Sequence, residues 1–420
     1  MDSFTLIDLK DGDLIDHIGA QFAWELDCLK RAKPSAESFG IVSGDQYPSP
    51  SSKLFGEDYV EVNRTILSIL ALKWILKGDY STFTNAQHHE SKLRHQSFLS
   101  LQSLFKRWLV TAHDVHLLVI ATMVADLGKA PDLASKDASA DAGASCNHDE
   151  LIFRAAQAHI IPCLETLDEK DRNVILTGLE FASRLNIPQL AQAENVPGSL
   201  TMIRAYRGQP HAVYLKILEV FLDVAGAAAQ QSCTGSATMT EDVYQTLTIA
   251  VNALVDFIEI GWLTEIQCYN KILIARGDLL LHNGLHQKLD IDDPESRAIL
   301  RVLCMARVTL PDLVEIFREV LDSLGESKTG LVARLNASGI AHDDVAIIPY
   351  YAPALFAHAM KSESNSTQDR SGHSHDMRQS LKLILQSINQ ASAPSATLAS
   401  DEQVWILEVD LSPVLSELDL

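Results

Sequence analysis

Positive charge is scarce in this sequence. Thirty-four Lys and Arg stand against 55 Asp and Glu, a formal net charge of −21 over 420 residues. Phosphate backbones are gripped by clustered Lys and Arg, so nucleic acid is not an expected partner. An anionic small molecule needs only a local cluster of cations or metal ions and is not excluded. Cysteine is thinly spread as well. Cys28, Cys146, Cys163, Cys233, Cys268 and Cys304 show no CxxC spacing, and most sit in apolar helical stretches. They read as small core residues in a reducing compartment. Long apolar runs are missing too. The longest, "LLVIATMVA" from Leu117 to Ala125, is too short to span a bilayer. The opening "MDSFTLIDLKDGD" has no charged segment followed by an apolar one, so no signal peptide is expected. The expectation is a soluble, cytoplasmic protein with no integral membrane contact.

Strand-like alternation and internal repeats are absent from most of the chain, and helical periodicity takes their place. Hydrophobic residues make up 47% and charged residues 21%, enough apolar material for a large core. "VEVNRTILSILALKWIL" and "SKLRHQSFLSLQSLFKRWLV" place apolar residues at helical spacing. "DVHLLVIATMVADLG" is apolar on nearly every face, which marks a buried central helix. The predicted fold is all-α, a single large helical bundle with short terminal extensions. Its boundaries are an N-terminal extension over 1–55, a helical domain over 56–360, a mobile Ser-rich linker over 361–375, and a C-terminal helix and possible strand over 376–420. The two strand-like stretches, "SFTLIDL" and "EQVWILEVDL", are candidates to pair with each other.

Chemistry concentrates around "ATMVADLGKAPD", Ala121 to Asp132. Asp126 ends a run of nine apolar residues, and Met123, Thr122 and Val119 share its helical face. A carboxylate in that setting is expected to be buried, and burial is costly without a cation or hydrogen-bond donors. One reading gives it a metal. The other pairs it with Lys129 at its own helix end. The stretch resembles the His-Asp-x-Gly-Lys signature of HD-domain metalloenzymes, with Ala125 where the His belongs. His95, Asp126, His148 and Asp223 follow the ligand order of such sites, in which different helices converge on the bundle core. Asn147, Asp149 and Glu150 join the candidate ligands, and the same residues also suit a helix start, Asn147 as the N-cap and the acids in the first turn. Asp223 shares a face with Lys216, Glu219 and Gln230, which is compatible with a solvated face. His95 sits on a moderately polar helix. Without the imidazole the donor set leans to oxygen, which suits Mg²⁺ completed by waters and a substrate phosphate.

"VADLGKAPD", "NHDEL" and "NGLHQKLDIDD" also resemble the atypical fungal sesquiterpene cyclases of the α-humulene synthase type, and the resemblance extends over most of the helical domain. It implies a class I terpene synthase in fungal meroterpenoid biosynthesis, which ionises farnesyl diphosphate with Mg²⁺ and closes an eleven-membered ring to α-humulene. The chain departs from ordinary class I cyclases in having no DDxxD motif. Asn252, Asp256 and Glu259 resemble the second metal-binding triad only loosely. On this reading Asp126 and Asp223 are the catalytic carboxylates and hold metal. Lys129, Arg154, Arg184 and Arg204 are the candidate cations for the diphosphate. Phe98, Met123, Phe181, Phe221, Trp262, Tyr269 and Leu285 are candidates for a dry apolar pocket, the aromatic faces also stabilising a carbocation. For each aromatic residue a plain core role is the competing reading. An HD-type phosphohydrolase or oxygenase, or a catalytically inert HD-like module binding a partner or nucleotide, remains the alternative.

Overall fold

The longest uninterrupted apolar stretch of helical spacing becomes the Val60–Lys77 helix, and Gly78 ends it in the left-handed conformation at φ 78°. Every residue from Glu61 to Ile75 is buried, including Glu61, Asn63, Arg64, Ser68 and Lys73. A helix buried on all sides lies inside a bundle, so each of its polar groups needs an internal partner. The Ala112–Val124 helix starts at a capping box formed by Thr111 and Asp114, and it is buried over most of Val115 to Val124. The Pro210–Gly226 helix begins with proline in its first turn, where the missing N–H costs nothing.

The computed structural model describes residues 3–32, 48–131, 133, 147–361, 370–391 and 404–418. Its architecture is all-α, as the periodicity predicts, and the only sheet among the described residues has two strands. The chain divides into two compact units where the sequence suggests a single bundle over 56–360. Unit 1 takes Met1–Arg184 and Gln209–Gln245, and unit 2 takes Leu185–Gly208 and Thr246–Leu420. No single described helix is long and apolar enough to cross a membrane.

Unit 1 is built around the Val60–Lys77, Ala112–Val124 and Pro210–Gly226 helices, with Glu169–Arg184 and His148–Gln157 packed beside them. "SFTLIDL" is not a strand. Ser3–Asp8 is helical, with Leu6 fully buried, because one turn of helix hides that side chain without needing a sheet neighbour.

In unit 2 the expected C-terminal strand is present as β2, Ile406–Asp410, but its partner is β1, Ala346–Tyr350. The two run parallel, with Ala346 opposite Ile406 and Tyr350 opposite Asp410. β1 reads "AIIPY", buried at four of five positions, and lacks the alternation that would reveal a strand. The intervening chain includes the Ala352–Lys361 and Arg370–Gln390 helices, the long crossover that a parallel pair requires. Part of the Ser-rich linker over 361–375 thus falls in the second helix, and residues 362–369 lie outside the described residues.

Candidate functional site

The buried polar groups of unit 1 meet in one place. Lys129 follows the Ala112–Val124 helix by one short turn, Leu127–Lys129. Its Nζ lies 2.7 Å from Asp126 Oδ1 and 2.9 Å from Glu61 Oε2. Arg64 bridges next, with one Nη 3.3 Å from Glu61 Oε1 and the other 3.3 Å from Asp223 Oδ1. One helical turn before Asp223, Lys216 pairs with Glu219. His148 Nε2 stands 3.7 Å from Asp149 Oδ2 at the start of its helix, and both groups interact electrostatically with the cluster, His148 with Asp126 and Asp149 with Lys216. The centre therefore draws on four helical segments. Its inner members Glu61, Lys129 and Asp126 are 0%, 14% and 14% exposed at the side chain, whereas Asp223 and His148 reach 39% and 43% and form a rim open to water.

Two glycines make this convergence possible. A Cβ on Gly128 would lie 1.9 Å from the His148 carbonyl oxygen, so only glycine lets the Asp126–Lys129 turn approach the start of the next helix. A Cβ on Gly226 would lie 2.5 Å from the Arg64 carbonyl oxygen and 2.3 Å from Ser68 Oγ, where the Pro210–Gly226 helix crosses Val60–Lys77.

Burial and charge pull the ionisation states apart. Burial disfavours the Asp126 carboxylate, but Lys129 and Arg64 outweigh it and bring its pKa down to about 2. At Glu219 burial wins over Lys216, and the carboxyl is pushed up to about 7. Burial also raises Glu61 despite Arg64 and Lys129. Burial works against the ammonium of Lys129, yet Asp126 and Glu61 keep it firmly charged. Five carboxylates (Glu61, Asp126, Asp149, Glu219, Asp223) thus face three strong cations (Arg64, Lys129, Lys216). Among the described residues no group of three or more His, Cys, Asp and Glu is arranged to hold a metal ion. Arg64 Nε has no hydrogen-bond partner.

Asp126 and Asp223 are brought together through Lys129, Glu61 and Arg64, and His148 and Asp149 stand at the same centre. Several other candidates have separate roles. Asn147 caps its helix by accepting from the Glu150 backbone N–H at 2.8 Å, and Glu150 pairs with Arg154 four residues on. Arg184 is held by Glu180 at 2.8 Å. Arg204 belongs to unit 2 and pairs there with Glu265. His95 is exposed at the start of its helix, its ring edge-on to Tyr80 at 5.0 Å. Phe98, Met123, Phe181 and Phe221 are buried in unit 1, with the Phe98 ring edge-on to Tyr80 and tilted against Phe83. Tyr269 and Leu285 are buried in unit 2, where the Tyr269 hydroxyl donates to the Ala193 carbonyl at 2.9 Å. Trp262 is 75% exposed on a turn of unit 2, so it lines no dry pocket. Asp256 of the loose triad pairs with Lys271.

Glu61 and Arg64 are not evident as site residues from the sequence pattern, and the face bearing Lys216 and Glu219, compatible with solvent by pattern, is largely buried at these two residues. Glu219 is 3% exposed. The available signal was the Glu61–Arg64 pair at i,i+3 at the start of a predominantly apolar helix, where a buried charge calls for a partner elsewhere. Ala125, where the imidazole of the HD signature is missing, borders a shallow apolar recess with Ala121, Ile175, Gly178, Leu215, Lys216 and Glu219. The recess abuts the charged centre through Lys216 and Glu219.

This combination defines a helical protein with a buried, mixed-charge centre open along one rim. The chain belongs to a family of unknown function (DUF6829), whose model matches residues 15–419. No curated protein and no solved structure matches the chain.

Proposed function

We propose that the charged centre of unit 1 handles the diphosphate of a small anionic molecule. In its most specific form, the activity is the Mg²⁺-dependent cyclisation of farnesyl diphosphate to α-humulene that the sequence resemblance implies. The observation that carries this reading is the convergence of Asp126, Asp149, Asp223 and His148 with Lys129, Arg64 and Lys216 at one rimmed centre. Buried, mutually perturbed charges of this kind cluster at functional sites. Among the described residues no three carboxylates cage a metal by themselves, so Mg²⁺ would arrive with the diphosphate, with Asp223 and Asp149 as the residues that would hold it. Mg²⁺ would supply charge to the departing diphosphate. Lys129 and Arg64 are the protein's own cations for the same charge, and the unpaired Arg64 Nε is a free donor for an oxygen. Asp126 positions Lys129. The test is to incubate the purified chain with farnesyl diphosphate and Mg²⁺ and to analyse volatile products. α-Humulene is expected, and intact substrate would overturn the cyclase form of the reading.

A second reading is favoured by one distance pair. Lys129 Nζ, at 2.7 Å from Asp126 and 2.9 Å from Glu61, sits where a metal would otherwise neutralise both carboxylates. On that reading the chain is an HD-like binding module whose centre is held by an ammonium instead of a metal. Thermal melting with Mg²⁺ and with chelator separates the two. Equal melting temperatures with and without Mg²⁺ and inorganic diphosphate favour the module, and a rise with both present favours the diphosphate site.

A further inference from the structure

Unit 2 holds a buried carboxyl group that none of the chemistry above uses. Glu194 follows the Ile187–Ala191 helix and is 5% exposed. Its side chain accepts no hydrogen bond and joins no ion pair among the described residues. The next residue, Asn195, is 6% exposed, and its Oδ1 also lacks a donor. A largely buried carboxyl that takes no donor, next to a fully buried amide oxygen that also lacks one, is costly.

The two cations whose fields reach this carboxyl, Arg307 and Arg301, are both committed elsewhere. Arg301, on the Pro294–Met305 helix, is 1% exposed, and its nitrogens are spent on backbone carbonyls. Nε donates to Ala193 at 3.2 Å, one Nη to Leu335 at 3.1 Å, and the other Nη to Ile347 at 2.7 Å and to the Glu194 carbonyl at 3.3 Å. Arg307 is exposed and engaged with Gln192. From the sheet side the facing group is Tyr350, whose hydroxyl is hydrogen-bonded to Glu408 and is held in its neutral form by burial and by that carboxylate. The segment itself is under tension. Ala193 adopts φ 52°, a left-handed conformation that a Cβ disfavours, and its carbonyl is gripped by both Tyr269 and Arg301. Beyond it, Val196 packs on Ala346 and Ile348 of β1, and Gly198 N–H donates to the Ser338 carbonyl at 2.7 Å.

We propose that the Gln192–Ser199 segment is a proton-controlled latch: a proton on the Glu194 carboxyl lets it stay closed over β1, and loss of that proton opens it to water. The proton is the missing partner because Arg301 is committed to carbonyls, Arg307 to Gln192 and the Tyr350 hydroxyl to Glu408. Burial pushes the Glu194 carboxyl up to about 7, against the opposing fields of Arg307 and Arg301, so the switch lies in the physiological range. An opened segment leaves the carboxyl with an ordinary carboxylate pKa. The open form therefore binds fewer protons, and closure weakens as pH rises toward the folded value and levels off beyond it.

Hydrogen exchange of the full chain, corrected for intrinsic rates, tests this. Protection of amides in residues 192–199 is expected to fall about tenfold or more between pH 5.5 and pH 8. Amides of the Val60–Lys77 helix serve as an internal control. Glu194→Gln is expected to abolish the pH dependence at 192–199 while keeping the segment closed. A pH-independent wild-type segment, or the same slope in Glu194→Gln, overturns the latch. Carboxyl-carbon NMR titration of the unmodified protein gives an independent reading. The signal assigned to Glu194, distinguished from that of Glu219 by sequential assignment, is expected to titrate near neutrality, and an ordinary carboxylate midpoint there overturns the proposal even if the variant fails to fold.

Discussion

Arg64 of unit 1 and Arg301 of unit 2 are both buried, and they live differently. In unit 1, Arg64 reaches carboxylates on two helices and leaves Nε without a partner. In unit 2, Arg301 touches no carboxylate and spreads its nitrogens over four backbone carbonyls. Carbonyls are fixed by the fold, so Arg301 is a staple that joins the Ala193 turn, the Ser327–Asn336 helix and β1. Carboxylates are side chains and can exchange one cation for another. The difference separates a buried charge that holds structure from a group of buried charges able to receive a ligand.

The comparison can be broken most severely at the staple. Arg301→Met removes the side-chain donor from four carbonyls in the core of unit 2, of which Ala193 alone keeps Tyr269, and should destabilise the protein by about 3–5 kcal/mol in urea melts. Arg301→Lys should not rescue it, because one ammonium cannot match the planar fork. A loss under about 1 kcal/mol would show that the carbonyls find water instead. Next in size is Gly128→Ala, whose Cβ meets the His148 carbonyl at 1.9 Å. It should cost about 3 kcal/mol by forcing the Asp126–Lys129 turn away from the His148–Gln157 helix, read by the same melts. Wild-type stability in that variant would mean the close approach is not required.

Removing Lys129 leaves Glu61 and Asp126 facing each other without their shared cation. Lys129→Met should therefore cost about 3 kcal/mol, and adding Asp126→Asn should restore part of it. Additive losses would show that the two groups do not act as a pair. On the proposed cyclase reading, Asp126→Asn alone should keep the fold and lower turnover by at least ~10²-fold, while near-normal turnover would make Asp126 structural. Asp223→Ala is expected to lower turnover in the same direction and to cost less stability, since its side chain is 39% exposed.

The smallest effects concern pH. Asp126 has a lowered pKa in the fold, so its contribution is present above the unfolded value of ~3.9 and is lost as pH falls toward about 2. Glu219 has a raised pKa, so its contribution has the opposite sign and fades as pH rises from ~4.3 to about 7. Urea melts across this range should show each limb flattened selectively by Asp126→Asn and by Glu219→Gln. Identical profiles in both variants would remove the electrostatic account of the centre.

The helical periodicity made the all-α fold legible, because amphipathic and fully apolar repeats report directly on burial. Asp126 stood out for the same reason, as one carboxylate at the end of an apolar run. The partners were harder to see. Glu61 and Arg64 precede Asp126 by some sixty residues in a helix whose charge looks like an ordinary surface pair. Only the crossing at Gly226 brings them against Asp223. The Asn147–Glu150 stretch divides in a way no pattern foretells, Asn147 capping its helix while His148 and Asp149 face the centre. "AIIPY" carries no alternation, so β1 was invisible and β2 was given the wrong partner. Arg301 gave no sequence signal either, since carbonyl partners belong to the fold and not to residue types.

The central claim is that the charges of unit 1 exchange partners with a diphosphate. Calorimetric titration of inorganic diphosphate with Mg²⁺ into the full chain tests it most directly. Saturable binding that requires Mg²⁺ and is lost in Asp126→Asn is the predicted result. An absence of binding, or equal binding by Asp126→Asn, would contradict it.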